Sequence, residues 1–256
     1  MADATSLTMT PMEVAIGCLP WAAFYGLVFF TSRVVAPLVF DHCRKLPSKD
    51  LSYWAESMVS TVNSFVLTPM ALQAMSESSL LDPQTSFYVG TPWTTQCCLA
   101  MVGYTVWDLL TILYYRNQWS GFVMYIVHHF GTIGAWGTCA STGLAHCIAV
   151  PSLMMEATGP FVNGRYFLST AGLKDTKLYL LNGALMFLSF FGIRIVYNWW
   201  IYLLRFWWQR ALMWELPTGV VLIFNVLYPV NLSLQMIWFY KITTGIIAIL
   251  SGKKKR

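Results

Sequence analysis

The sequence predicts an all-α, polytopic membrane helix bundle of about seven transmembrane helices. Three observations carry that expectation. Of the 256 residues, 57% are hydrophobic and only 11% are charged, less than half of the roughly 25% charged residues that wet a soluble globular surface. The apolar residues gather into stretches able to cross about 30 Å of hydrocarbon, which takes roughly 20 residues in a helix. The stretches lack the period-two alternation of a membrane β-barrel, so helices are the remaining way to satisfy the backbone inside lipid. The same composition excludes intrinsic disorder, which needs low hydrophobicity. A formal charge of +5 does not suggest a nucleic-acid partner, because four of the sixteen basic residues form the terminal Lys253-Lys254-Lys255-Arg256 and the rest are dispersed.

The apolar stretches fall at about residues 14–40, 53–75, 87–115, 119–137, 139–160, 179–204 and 217–240, with a short apolar tail at 242–250. The third and seventh are long enough to tilt or bend, and Pro229 offers the seventh a bend. Arg44, Lys45 and Lys49 follow the first stretch, Arg116 the third, and Arg165, Lys174 and Lys177 the fifth, whereas Asp3, Glu13, Glu77 and Asp82 mark the opposite ends. The positive-inside rule then puts the amino terminus in the lumen and the carboxyl terminus in the cytosol. Arg205 and Arg210 fall on the lumenal side, among Trp199, Trp200, Trp207, Trp208 and Trp214, and read as part of an interfacial aromatic belt. Residues 1–50 form a lumenal tail, first helix and basic loop, 51–240 the main membrane domain, and 241–256 an apolar tail with a basic cytosolic terminus. The absence of Lys and Arg before Arg33 argues against a cleavable signal peptide. The six cysteines are expected to be buried free thiols, since Cys97 and Cys98 are adjacent rather than spaced as a metal or redox pair.

Polar groups at membrane depth are costly, and each is a candidate for function. They are Asn63 on the second stretch, Asp108 on the third, His128 and His129 on the fourth, His146 and Glu156 on the fifth, and Asn182, Arg194 and Asn198 on the sixth. At 1.5 Å per residue from the cytosolic end, Asp108 lies about 10 Å deep, His128 and Asn63 about 15 Å, Glu156 about 6–9 Å and Arg194 about 22 Å. Four stretches thus bring polar groups toward one slab. Only Arg116-Asn117-Gln118 separates the third and fourth, so they are antiparallel neighbours and Asp108 can approach the histidines. A carboxylate on one imidazole nitrogen fixes the tautomer and raises basicity at the other, as a general base or nucleophile requires. Adjacent histidines point about 100° apart, so one can face a cavity while the other lines its wall. A buried structural network of the same residues, without chemistry, is the alternative. A metal would need Glu156 or His146 as a third ligand; with no HExxH or CxxC spacing, no metal is expected. His146 alone reads as a packing residue. Gly121, Gly131, Gly134 and Gly137 would let the fourth helix pack closely.

Three segments resemble a known family: Gly103-Tyr104-Thr105-Val106-Trp107-Asp108, then His128-His129-Phe130-Gly131-Thr132, then the run from Glu156-Ala157-Thr158-Gly159-Pro160 to Asn163-Gly164-Arg165. They are similar to the TLC-domain membrane proteins, which include the ceramide synthases, and more closely to the small TLC-domain branch. The resemblance covers about residues 51–240. It implies six helices around a lipid-accessible tunnel and an endoplasmic reticulum location, with the mitochondrial inner membrane as the alternative. Carried over by position, His128 and His129 are the catalytic pair, with Asp108 orienting and Glu156 as the downstream acid. Asn63, Arg194, Asn182 and Arg165 are the expected lipid-binding set. The implied activity is acyl transfer to, or remodelling of, a sphingolipid or phospholipid, with acyl-CoA as co-substrate and no tightly bound cofactor. The competing reading is a non-catalytic lipid-binding or structural subunit of a larger membrane assembly. The pattern departs from the ceramide synthases where Glu156 is the sole acidic residue near their two downstream aspartates, and where Asn63 stands near a position that is histidine in many TLC proteins.

Overall fold

Three of the helices begin where a threonine precedes a proline or a lysine. In the computed structural model, which describes residues 7–119 and 122–251, Thr10 caps α1 (Pro11–Val39) through a reciprocal box with Glu13. The Glu13 amide donates to the threonine hydroxyl at 3.2 Å, and the Thr10 amide donates to the Glu13 carboxylate at 2.7 Å. Thr91 and Thr94 repeat the device at α4 (Pro92–Tyr115), and Thr176 caps α8 (Lys177–Ser189). Each arrangement occupies backbone donors that the first turn leaves without intrahelical partners. The short α2 (Asp41–Arg44) leads into α3 (Ser48–Ser78).

Past α4 the chain departs from the expected boundaries. α5 (Phe122–Thr142) runs on through Cys139, which the sequence placed in the following stretch. The reversal comes at Gly143 (φ 68°) and Ala145 (φ 58°), both left-handed. The next rod is segmented into α6 (His146–Ser152), a 3-10 turn (Leu153–Thr158) and α7 (Gly159–Thr170), so Arg165 lies on a helix rather than in a loop. The sixth rod joins α8 to α9 (Asn198–Tyr202) through a π-helical segment at Phe190–Tyr197, and a second one follows at Leu203–Trp208. After α10 (Arg210–Trp214), α11 (Thr218–Leu250) is continuous, so residues 242–250 extend the last helix instead of forming a separate tail. The basic residues 253–256 and Gly121 lie outside the described residues.

Among the described residues, four rods are long and apolar enough to cross a bilayer: Pro11–Val39, Pro92–Tyr115, Lys177–Trp208 and Thr218–Ala248. α3 carries Glu56, Asn63 and several serines and α5 carries the two histidines, while the α6–α7 rod is broken into shorter segments. The molecule is an all-α membrane helix bundle. α4 is its axis, packed on α1, α3, α5 and α6; 72% of its apolar span is buried, against 17% for Lys177–Trp208. Gly103 permits the α1–α4 crossing, because a Cβ there would stand 2.7 Å from the Cys18 carbonyl and 2.5 Å from the Trp21 side chain. The close approach expected of α5 is milder: Gly134 makes room for Leu227, and a Cβ on Gly137 would meet nothing. Leu27, Leu38 and Leu188 point outward, as a lipid-facing surface requires. All six cysteines are free and buried.

Candidate functional site

The turn between α4 and α5 makes the two helices neighbours, and the site begins at their crossing. His129 Nε2 lies 2.6 Å from Asp108 Oδ2, and its Nδ1 lies 2.5 Å from the Tyr125 carbonyl oxygen. A carbonyl only accepts, so Nδ1 carries a proton, and a second proton is shared along the Nε2–Oδ2 line. However that proton divides, the Asp108–His129 unit is neutral and leaves His129 no free lone pair. His128 is the opposite case. Its ring stands perpendicular to that of His129 at 5.5 Å and meets Trp238 at 5.4 Å. Among the described residues it has no hydrogen-bond partner. The two adjacent imidazoles therefore divide into one that is locked and one that is free.

A second network crosses the bundle opposite. Tyr25 donates its hydroxyl to Asn63 Oδ1 at 2.8 Å, and Asn63 Nδ2 donates to Glu156 Oε2 at 2.9 Å. Glu156 Oε1 faces Arg194 Nη2 at 3.9 Å. Arg194 Nε donates to Thr158 Oγ1 at 2.7 Å and to the Met155 carbonyl at 3.1 Å, and Nη1 donates to Gln235 at 3.3 Å. Arg194 belongs to the π-helical segment, a local widening of the helix that recurs at functional sites. The Glu156–Arg194 pair is again neutral, with its remaining capacity met by hydrogen bonds, as burial of charge demands.

Between the networks lies a cavity of about 370 Å³, in the range of small-molecule sites. Glu56, Asp108, His128, His129, Glu156 and Arg194 line it, and Tyr53, Trp119 and Lys241 stand toward the α4–α5 end. A smaller apolar annex of about 50 Å³ adjoins it, walled by Gly131, Thr132, Ala135 and Trp136 of α5 together with Phe224 and Leu227. Met101, His128, Glu156 and Arg194 line both spaces. The free imidazole thus stands where a polar chamber meets an apolar recess, an arrangement able to hold a polar head beside a hydrocarbon chain.

Four of the expected residues besides His128 meet at the chamber, His129, Asp108, Glu156 and Arg194, and Asn63 joins them from behind through Glu156 without lining either cavity. Asn182 and Arg165 do not join them. Asn182 donates to the Phe161 carbonyl at 2.8 Å, and Arg165 lies 4.3 Å from the Tyr179 ring centre, so both belong to the α7–α8 crossing and line neither cavity. His146 bonds Thr94 at 2.5 Å and the Cys139 carbonyl at 3.0 Å, a packing role where α4, α5 and α6 meet. Among the described residues no group of three or more His, Cys, Asp or Glu is placed to hold a metal ion.

Glu56 escaped the sequence reading. It is 7% exposed, accepts from Trp107 Nε1 at 3.3 Å, and faces Asp108 across the chamber wall. Its signal was present: Glu56, Ser60 and Asn63 recur at helical spacing on one face of α3, and Glu56 is the one carboxylate within residues 53–75. Arg205, expected in an interfacial aromatic belt, is instead buried beneath the loop that precedes α4.

A family model described as the TLC domain matches residues 53–244. TLC domain-containing protein 4-B of Danio rerio is 26% identical over 259 residues, which span 91% of this chain and 89% of that protein. TLC domain-containing protein 4 of Homo sapiens is 28% identical over 190 residues, covering 73% of this chain and 70% of its own. TLC domain-containing protein 4 A of Dictyostelium discoideum is 25% identical over 239 residues, covering 89% and 90%. No solved structure matches the chain.

Proposed function

The chain belongs to the TLC-domain family of membrane proteins, and from that premise we propose that it binds the polar head of one membrane lipid in the chamber and acylates it. The observation that carries the reading is the division of the histidine pair. Asp108 and the Tyr125 carbonyl fix His129, while His128 stands unbonded where chamber and annex meet. In the proposed step an amine or hydroxyl of the lipid attacks the thioester of acyl-CoA. The new N–C or O–C bond forms as the C–S bond breaks; His128 takes the proton from the nucleophile and returns it to the departing thiolate. His129 and Asp108 hold the wall in place, and the Glu156–Arg194 pair supplies a polar surface without net charge. The surrounding apolar helices hold the chain and exclude water.

Trp119 and Lys241 line the chamber, and Trp119 donates to the Lys49 carbonyl at 3.4 Å, so basic residues gather at that end. With basic ends in the cytosol, this reading places the amino terminus in the lumen of the endoplasmic reticulum and the mouth where acyl-CoA is supplied. The test is purified protein in lipid nanodiscs, offered labelled acyl-CoA and long-chain amines, alcohols and lysophospholipids. Wild type is expected to form an acylated product, and His128→Ala to lower its rate at least a hundredfold, the usual scale of a lost general base. Product formation indifferent to His128→Ala sinks the mechanism. A co-purifying lipid with no turnover of any acyl donor replaces it with the non-catalytic reading, a lipid-binding subunit of a membrane assembly.

A further inference from the structure

We propose that Glu56 is the headgroup acceptor of the chamber, binding an N–H or O–H donor on the polar head of the lipid through its free carboxylate oxygen. The inference rests on the chamber holding a lipid head, as proposed above, but not on any acyl transfer.

One oxygen of Glu56 is used, since Oε2 accepts from the Trp107 indole. The other, Oε1, is buried and has no hydrogen-bond partner among the described residues. Leaving a buried acceptor without a donor is unfavourable, and charged acceptors suffer most. Two polar side chains stand closest, and neither completes Oε1: the Asp108 carboxyl, whose bonded oxygen is engaged by His129, and the Thr111 hydroxyl, which donates to the Trp107 carbonyl at 3.1 Å. The guanidinium on the opposite wall is committed to Thr158, Met155, Gln235 and Glu156.

Charge counting gives the same answer. Asp108 with His129 is a neutral unit, and so is Glu156 with Arg194, so Glu56 is paired with no cation inside the chamber, and the one further cation of its lining, Lys241, stands at the exposed rim. The α3–α4 wall therefore offers acceptors in excess. A ligand that completes it brings a donor: a primary amine or a free hydroxyl fits, whereas a fully esterified head offers nothing to Oε1. A pocket whose polar group is left unpaired discriminates strongly against an analogue that lacks the matching group.

Three probes of equal chain length separate the cases: hexadecylamine, hexadecanol and methyl hexadecanoate, titrated against the full-length protein in nanodiscs by thermal shift and displacement. Wild type is expected to bind the amine, the alcohol or both at least tenfold more tightly than the ester, and Glu56→Met, which removes the acceptor, to lose most of that preference while binding the ester as before. Glu56→Asp, which keeps the charge one methylene back, is expected to retain part of it. An amine favoured over the alcohol identifies charge pairing; equal binding identifies the hydrogen bond alone. Equal binding of ester and donor probes by wild type overturns the proposal, as does an unaltered preference in both variants. If no probe binds wild type, the lipid-chamber reading falls with it; if all bind without regard to Glu56, this inference alone falls.

Discussion

Two clusters of buried charge lie at opposite ends of this bundle, and they are built differently. At one end Arg205, 1% exposed, clasps the loop that leads into α4. Its Nη2 donates to the Leu80 carbonyl at 2.5 Å and its Nη1 to the Asp82 carbonyl at 3.4 Å and to Gln209, which in turn bonds the carbonyls of Pro83 and Thr85. The chain itself occupies the donors, and neither cavity reaches them. At the other end the chamber gathers Glu56, Asp108, His129, Glu156 and Arg194 around about 370 Å³ of space, with one carboxylate oxygen unpartnered and one imidazole unbonded. A buried charge marks a site when its bonding capacity is left open beside a space. When the capacity is filled, the charge is a clasp.

The largest effect expected from this contrast is on stability at the clasp. Arg205→Met strands several loop carbonyls in a dry environment and should destabilise the protein by about 3 kcal/mol in thermal unfolding. The lipid bound per folded molecule should be unchanged; a loss of bound lipid beyond the loss of folded protein would break the distinction. Asp108→Asn comes next. It leaves His129 facing an amide, and a cost of about 2 kcal/mol is expected, together with loss of lipid turnover, so that one substitution damages both properties. His128→Ala sharpens the contrast from the other side. Because this imidazole has no hydrogen-bond partner, its removal should shift stability by no more than about 1 kcal/mol while removing turnover; a large drop in melting temperature would show a structural part that the geometry does not contain. The smallest effect belongs to Arg210, five residues past Arg205 but exposed and stacked 5.7 Å from Trp207. Arg210→Ala should change stability by about 0.5 kcal/mol or less. Unfolding midpoints for this pair of arginines test whether burial rather than the aromatic belt decides their worth.

Much of the chamber is legible in the sequence. Three residues between the third and fourth stretches forced α4 and α5 together, which brings Asp108 to a histidine. The polar residues of α3, the α6–α7 rod and the sixth rod converged because none can face lipid cheaply. What the pattern left open was which histidine Asp108 holds. Successive residues on a helix diverge by about 100°, and only the rotation of α5 against α4 selects His129 for the carboxylate and His128 for the cavity. Glu56 was missed for a related reason. It stands near the start of its helix, where a carboxylate can reach the interface, and only Trp107 of α4 closes that route. Arg205 sits among tryptophans that are themselves exposed, so its inward turn depends on a loop more than a hundred residues earlier in the chain. Asn182 and Arg165 share a helix crossing rather than the chamber because side chains at that end of α7 and α8 face one another.

By itself the sequence determined that this chain is a helical membrane bundle with its dipoles turned inward, because the penalty for exposing polar groups to hydrocarbon is large and acts on each residue separately. Tertiary structure alone decided which polar groups satisfy one another and which are left open. That outcome depends on helix rotation and on loops packing from far along the chain, where contacts of a few ångströms separate a completed hydrogen bond from an unfilled one.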